Sequence, residues 1–325
     1  MTLIQDEGRL LQHQMVVEEA IRRGITVTDV SDVIEFPAVL LESPKGQREL
    51  VVQGGPSSWT HMQTRCLCDY KHLTKIVFQR VGINAPKNIL FNNPTDTNIK
   101  DFFEPGQSYV CKPNIGDGGI GVELGIRSLE EIQSYWERNK QLCTAFLLEE
   151  QVTTGSDLRI QVIGGKIAAA CIREPACVIG NGKNSLIELI DARRMIMKTQ
   201  NPANHLELDK VSMKLIEQQR LHLASIPIDG QKVVLKTVSN IGQGGIPIDV
   251  TDKLHPTYHQ WVKKVEAFLK TAYFALDFIS PDPAENPIKT SYCIEINPQP
   301  TWLHHTFSER KTHNLAAVVL DCLFG

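Results

Sequence analysis

Three residues in the last quarter of the chain, Asp277, Glu295 and Asn297, are of the types that ligate a hard divalent cation. Side chains two apart in a strand share a face, so Glu295 and Asn297 project together, beside an alternating apolar set of Tyr292, Ile294 and Ile296. Asp277 falls in the preceding apolar run, with Ala275 and Ile279 on its own face. The turn-rich segment 280–287 can pair the two runs antiparallel, which brings Asp277 opposite Glu295. Two carboxylates and an amide carbonyl on one face suit Mg2+ shared with phosphates. The competing reading makes them solvent-facing residues of a half-exposed sheet. Their embedding in FALDFI and YCIEINP favours the metal, because charges in such strands are costly unless partnered.

A second constellation is the run from Lys112 to Gly121, in which Gly116, Gly118, Gly119 and Gly121 crowd into six residues. Gly116, Gly118 and Gly121 match GxGxxG, but a dinucleotide fingerprint needs a helix straight afterwards. Residues 122–126 read as a strand instead, so the glycines form a flap able to lay backbone N–H groups over phosphates. Lys112 at its base adds a cation. A plain hairpin turn is the alternative, although it needs only one or two glycines.

Weaker candidates are spread along the chain: Lys75 after residues 69–74, a second glycine-rich turn from Asn240 to Gly245, and Arg159 and Arg173, which lie in strands on either side of Gly164-Gly165. Lys236, Arg193, Arg194 and His205 are weaker still. No histidine falls in a triad pattern and no GxSxG elbow occurs.

Strands and helices must hold these groups in place. The spacing of Val17, Ala20, Ile21 and Gly24 predicts a helix, followed by a strand at 25–28. Apolar runs on either side of Ser43-Pro44-Lys45-Gly46 predict a hairpin. Residues 1–68 thus read as a small α/β domain. In the next unit, 69–148, helices are expected over 71–81 and 129–140, with strands at 108–112 and 145–148. The third, 149–325, carries a hairpin about Gly164-Gly165, a helical insertion at about 185–222 and an amphipathic helix marked by Trp261, Val265, Phe268, Leu269 and Ala272. The expected class is α/β (α+β). A formal charge of -3 argues against a reader of nucleic-acid backbone, and 42% hydrophobic residues suffice for a sizeable core. Eight cysteines without zinc spacing, several in apolar runs, suggest a reducing cytosol. Cys66 and Cys68 would share a face in a strand, but two ordinary thiols is the preferred reading. The start of the chain lacks the pattern of a signal peptide, and no apolar run approaches the roughly 20 residues of a membrane helix.

With the flap and the Asp…Glu-x-Asn set in hand, the chain resembles the ATP-grasp enzymes. It is similar in particular to the ATP-grasp module of bifunctional glutamate–cysteine ligase/glutathione synthetase and to cyanophycin synthetase. The resemblance runs through QMVVEEAIRRGITV (14–27), 69–75, 109–121, LLEEQVTTGSDLRIQV (147–162), REPACVIGNGKNSLIELID (173–191), NIGQGGIPIDVTDKLH (240–255) and 292–298. It implies an ATP-grasp fold, with nucleotide held between two α/β subdomains after a small N-terminal domain. It implies that Lys75 and Lys112 contact ATP phosphates under the 114–121 loop, including Gly116, Gly118 and Gly119. Glu149, Glu150 and Val152 would form the adenine hinge, and Asp157 would accept from the ribose. Asp277, Glu295 and Asn297 would hold two Mg2+ ions, for which Mn2+ can substitute. Arg159, Arg173 and Asn240 would face the acylphosphate and the incoming amine.

The implied activity is ATP-dependent ligation of a small-molecule carboxylate to an amine, an amino acid or short peptide, in the cytoplasm, with a homo-oligomer as a common family state. Glutathione synthetase-like joining of γ-glutamylcysteine to glycine is the first expectation. A ligase for another amino acid or dipeptide, an ATP-grasp small-molecule kinase and a nucleotide-binding module without turnover are the alternatives. The glutamate–cysteine ligase half and the extra cyanophycin ligase domain are not found in this sequence, and residues 299–305 depart from the family wording. Both departures leave the substrate pair open.

Overall fold

The computed structural model describes residues 7–116, 119–202 and 204–325. The chain divides into two compact units, each assembled from separated stretches of sequence. One comprises 1–59, 168–252 and 301–325, the other 60–167 and 253–300. The sequence reading divides the chain into 1–68, 69–148 and 149–325. Within the last of these, the strand Ser156–Ile163 bonds to Tyr273–Ser280, more than a hundred residues on.

In the first unit, the helix Glu7–Arg22 stands beside an antiparallel meander of Thr26–Asp29, Ala38–Glu42, Arg48–Val52 and Gly55–Pro56. The middle two strands form the hairpin expected about Ser43–Gly46. The buried face of the helix is not the all-apolar stripe that its spacing suggested. Val16 and Ala20 are buried together with Gln12, His13 and Glu19, while Ile21 is exposed. Burial of Gln12 is compensated: its amide donates to the Gln53 carbonyl at 3.1 Å and accepts from the Trp302 N–H at 2.8 Å. The helical insertion consists of Leu186–Gln200 and Lys210–Gln218, packed with the ribbon of Cys177–Ile179 and Lys232–Val234 around Leu186, Ile190, Met197, Ile216 and Val233.

The second unit contains two sheets. One has strand order Asn88–Phe91, Phe146–Glu150, Tyr109–Pro113, Glu123–Ile126, all antiparallel. Helix Leu129–Asn139, capped by Ser128 accepting from the Glu131 N–H, covers it through Ile132 and Tyr135. In the other, Tyr273–Ser280 lies between Ser156–Ile163 and Tyr292–Asn297. Helix Pro256–Leu269 supports this sheet, with Pro256 in its first turn and the His255 side chain accepting from the Thr257 N–H. Its core is a stack of Trp261 on Phe278, ring centroids 5.6 Å apart, with Tyr258 edge-on to both. Tyr258 rather than Phe268 supplies the inner aromatic, since Phe268 is 49% exposed, and the helix stops at Lys270 in a left-handed turn before reaching Ala272. Cys66 and Cys68 lie in helix Met62–Asp69, Cys66 exposed and Cys68 buried, so they share no strand face. No helix among the described residues is long and apolar enough to cross a membrane.

Candidate active site

Asp277 pairs across the sheet with Glu295, and Ala275 with Asn297. The expected juxtaposition of two carboxylates and an amide therefore exists in the second unit. A bulge interrupts the pairing beside it: Phe278 faces Cys293, and Ile294 is the extra residue. The bulge shifts the alternation, so Cys293 joins Ile296 on the buried face, and the simple set of Tyr292, Ile294 and Ile296 does not hold. It also leaves the carbonyl of Ile294 available to accept from Lys75 Nζ at 2.8 Å.

From the opposite neighbour, Arg159 is cross-strand partner to Asp277, and its Nη1 donates to both carboxylate oxygens at 2.9 and 3.0 Å. Asn297 Nδ2 donates to Asp277 Oδ2 at 3.2 Å. Asp157, two residues before Arg159, lies opposite Ile279. Arg159 thus meets a carboxylate of the acidic trio directly. Glu295 keeps 26% of its side-chain surface, yet protein atoms crowd it enough that burial raises its carboxyl, with Lys71 pulling the other way. The Lys71 ammonium lies 3.9 Å from Glu295.

The donor set fits a hard divalent cation. Glu295 is a carboxylate whose burial is only partly offset by Lys71, and a dication would stabilise its charged form. An ionised carboxylate offers about four lone-pair sites, so Asp277 can receive Arg159 and still ligate an ion.

Below the flap, Glu149 is 2% exposed and binds two lysines. Its oxygens lie 2.6 Å from Lys75 Nζ and 2.9 Å from Lys112 Nζ. Burial pushes the Glu149 carboxyl up, but Lys112 and then Lys75 pull it further down, below its usual value. Burial drives Lys75 down to about 8 against the pull of Glu149. Glu149 therefore spends its side chain on the lysines, which the hinge expectation did not include. Lys75 is 1% exposed, with its contacts made to Glu149 and the bulged strand. Glu150 and Val152 follow where the strand ends; the Glu150 N–H donates to the Lys87 carbonyl at 2.9 Å and the Gln151 N–H to Ser108 at 2.8 Å.

The flap links Tyr109–Pro113 to Glu123–Ile126, so a strand follows the glycines, as expected for a flap and not for a dinucleotide fingerprint. Gly118 lies outside the described residues. Gly116 and Gly119 take φ of 134° and 78°, a backbone region that glycine enters without steric cost. Two residues that sequence reasoning passed over hold the base. Lys71 donates to the Gly116 carbonyl, and Asn114, 3% exposed, accepts the His72 N–H at 3.1 Å while its carbonyl accepts the Lys71 N–H at 2.9 Å. Their only signal was position, at the start of a helix and one residue after Lys112-Pro113.

Arg173 and Asn240 belong to the first unit. Arg173 lies opposite Pro247 in the pairing of Lys166–Glu174 with Ile246–Asp249. Asn240 caps a short 3-10 turn, Ile241–Gln243, its side chain accepting the Gly242 N–H at 2.9 Å.

The two sheets, the flap and the acidic strands define an ATP-grasp fold. No protein-family model matches the chain. Cyanophycin synthetase of Trichormus variabilis is 28% identical over 322 residues, 96% of this chain and 34% of that protein. The glutathione biosynthesis bifunctional protein of Clostridium perfringens is 29% identical, over 99% of this chain and 42% of that one. A bifunctional glutathione synthetase from Pasteurella multocida, known from its crystal structure, superposes with a TM-score of 0.71 at 25% identity, over 97% of this chain and 44% of that one. The chain is thus a homologue of the synthetase modules within cyanophycin synthetase and the bifunctional glutathione proteins, and it spans roughly a third to two fifths of their length.

Proposed function

We propose that the chain is an ATP-dependent carbon–nitrogen ligase that activates a carboxylate as an acylphosphate and passes it to an amine. The observation that carries this reading is the pairing of Asp277 with Glu295, joined by Asn297 and Arg159.

Asp277, Glu295 and Asn297 would hold Mg2+, or Mn2+ in its place. When bound, the ions supply charge neutralisation at the phosphates. Lys75 and Lys112, which share Glu149, bind the phosphates together with the flap amides of Gly116, Gly118 and Gly119. Glu150 and Val152 line the adenine with backbone groups, and Asp157 accepts from the ribose hydroxyls. Phosphoryl transfer asks chiefly for such positioning and charge stabilisation. The carboxylate oxygen, once phosphorylated, becomes a good leaving group. The amine attacks the acyl carbon, a proton leaves the nitrogen, and inorganic phosphate departs. Arg159, Arg173 and the turn headed by Asn240 are assigned to the developing oxyanion. The closed flap keeps water off the acylphosphate.

The relatives' names support γ-glutamylcysteine and glycine as the first pair to test. The departure of residues 299–305 from the family wording favours a second reading, ligation of another amino acid or dipeptide. The decisive experiment scores a panel of carboxylates and amines by ADP release and product mass, with hydroxylamine as a trap. Amine-dependent ADP release with an acyl hydroxamate is the expected result. A phosphorylated alcohol instead would make the protein a kinase, and no nucleotide turnover with any pair would end the ligase reading. We assign the protein to the cytoplasm, where thiols are kept reduced.

A further inference from the structure

In the first unit, Cys171, His304 and His305 bring one sulfur and two imidazole nitrogens within 4.8 Å of one another. Neighbouring residues of a helix normally point apart. Here the two rings of helix Leu303–Thr306 converge, centroids 4.3 Å apart. Cys171 and His305 are fully buried and His304 is half-buried, so the cluster has one open side.

The surroundings fix these groups. Cys171 sits in the strand Lys166–Glu174 opposite Asp249. Asp249 accepts from His313 Nε2 at 2.6 Å and from the Thr251 hydroxyl at 2.7 Å. The His313 backbone N–H donates to the His305 carbonyl at 3.1 Å, and the His305 N–H to Trp302 at 3.0 Å. The short histidine helix is therefore tied through His313 to Asp249.

We propose that Cys171, His304 and His305 form a site for Zn2+, built from none of the residues assigned to Mg2+ and independent of the ligase reading. The donor set of one thiolate and two imidazoles is borderline-soft, which suits Zn2+ and does not suit Mg2+. Zinc bonds of 2.0–2.3 Å place tetrahedral ligand atoms about 3.4–3.8 Å apart, so a side-chain adjustment of about 1 Å closes the present cluster. On binding, the Cys171 thiol releases its proton to solvent as the sulfur–zinc bond forms. Each imidazole gives one nitrogen lone pair and keeps its other ring N–H. The fourth position, on the open side at His304, takes water or an anionic ligand. The ion would staple the histidine helix to the strand that carries Arg173, two residues beyond Cys171.

The test uses the full chain, stripped with a chelator and titrated with Zn2+ or Co2+ in a large excess of Mg2+. One Zn2+ per chain, a rise in Tm with zinc and a thiolate-to-cobalt charge-transfer band in the near ultraviolet are expected. Cys171→Ser should abolish the band, and His304→Ala should weaken zinc binding by at least about 10-fold, the loss that even an outer partner of a metal site produces. His304→Ala alters a half-exposed side chain, so it remains informative if the buried Cys171→Ser variant does not fold. Absence of stoichiometric zinc in the wild type, or a charge-transfer band unchanged in Cys171→Ser, would overturn the site.

Discussion

Glu149 shows how one buried carboxylate can hold two lysines together. It is enclosed, and it is charged because two lysines converge on it. Removing one partner of a buried ion pair leaves uncompensated charge, which costs about 3–5 kcal/mol. Glu149→Gln should therefore lower unfolding free energy by about that amount in urea titrations, and weaken ATP binding measured on the same preparation. Asp277→Asn keeps the shape while removing a charge from the proposed cation site. It should reduce Mg2+ affinity by about 10–100-fold or more, read as a shift of the Mg2+ dependence of ADP release. Arg173→Ala should leave ATP binding intact and lower turnover, and unchanged turnover would take Arg173 out of the site. The acidic trio was legible because its residue types are chemically unusual within apolar strands. Lys71, Asn114 and the lysine-binding role of Glu149 were not, because an isolated lysine, asparagine or glutamate has no distinguishing sequence context.

At the scale of elements, the flap and the inserted helices obey local rules strictly enough to test. Gly121 has φ of 71°, and a Cβ there would meet Leu142 at 2.8 Å and Pro113 at 2.9 Å. Its carbonyl accepts from the Tyr135 hydroxyl at 2.7 Å, which pins the flap to helix Leu129–Asn139. Gly121→Ala should destabilise by about 1–3 kcal/mol through backbone strain and overpacking, and calorimetry should show the lowered Tm. Asp209 heads helix Lys210–Gln218, accepting the Ser212 N–H at 2.8 Å and pairing with Lys236 at 2.7 Å. Lys236, followed by the Ser212 N–H, holds its carboxyl at about 2, against 3.8 when free. The folded value is depressed, so its stabilisation is complete above pH 3.8 and is lost as pH falls through about 2. The loss of Tm between pH 4 and 2 should be shallower in Asp209→Asn than in the wild type.

For the molecule as a whole, two units are each built from non-contiguous stretches. Contiguous segments are the natural expectation from composition and turn signals, and those signals describe only neighbours along the chain. A ligand that binds the folded state alone adds stability, about 2.7 kcal/mol at a hundredfold excess over its Kd. ATP with Mg2+ should raise Tm in the wild type, and Asp277→Asn should lose most of that increment, as differential scanning calorimetry with and without nucleotide would show.

From the sequence alone came the elements that local chemistry dictates: the helix over 71–81, the 43–46 hairpin, the flap between two strands, and the antiparallel register that sets Asp277 against Glu295. Alternation and turn residues act over a few positions, and a short turn-rich connection leaves few possible registers. Tertiary structure alone decided the bulge at Ile294, the burial of Gln12 and Glu19, the lysine pair on Glu149 and the meeting of Cys171 with His304 and His305. Each of these depends on groups far apart along the chain, and packing, which the linear order does not encode residue by residue, brings them together.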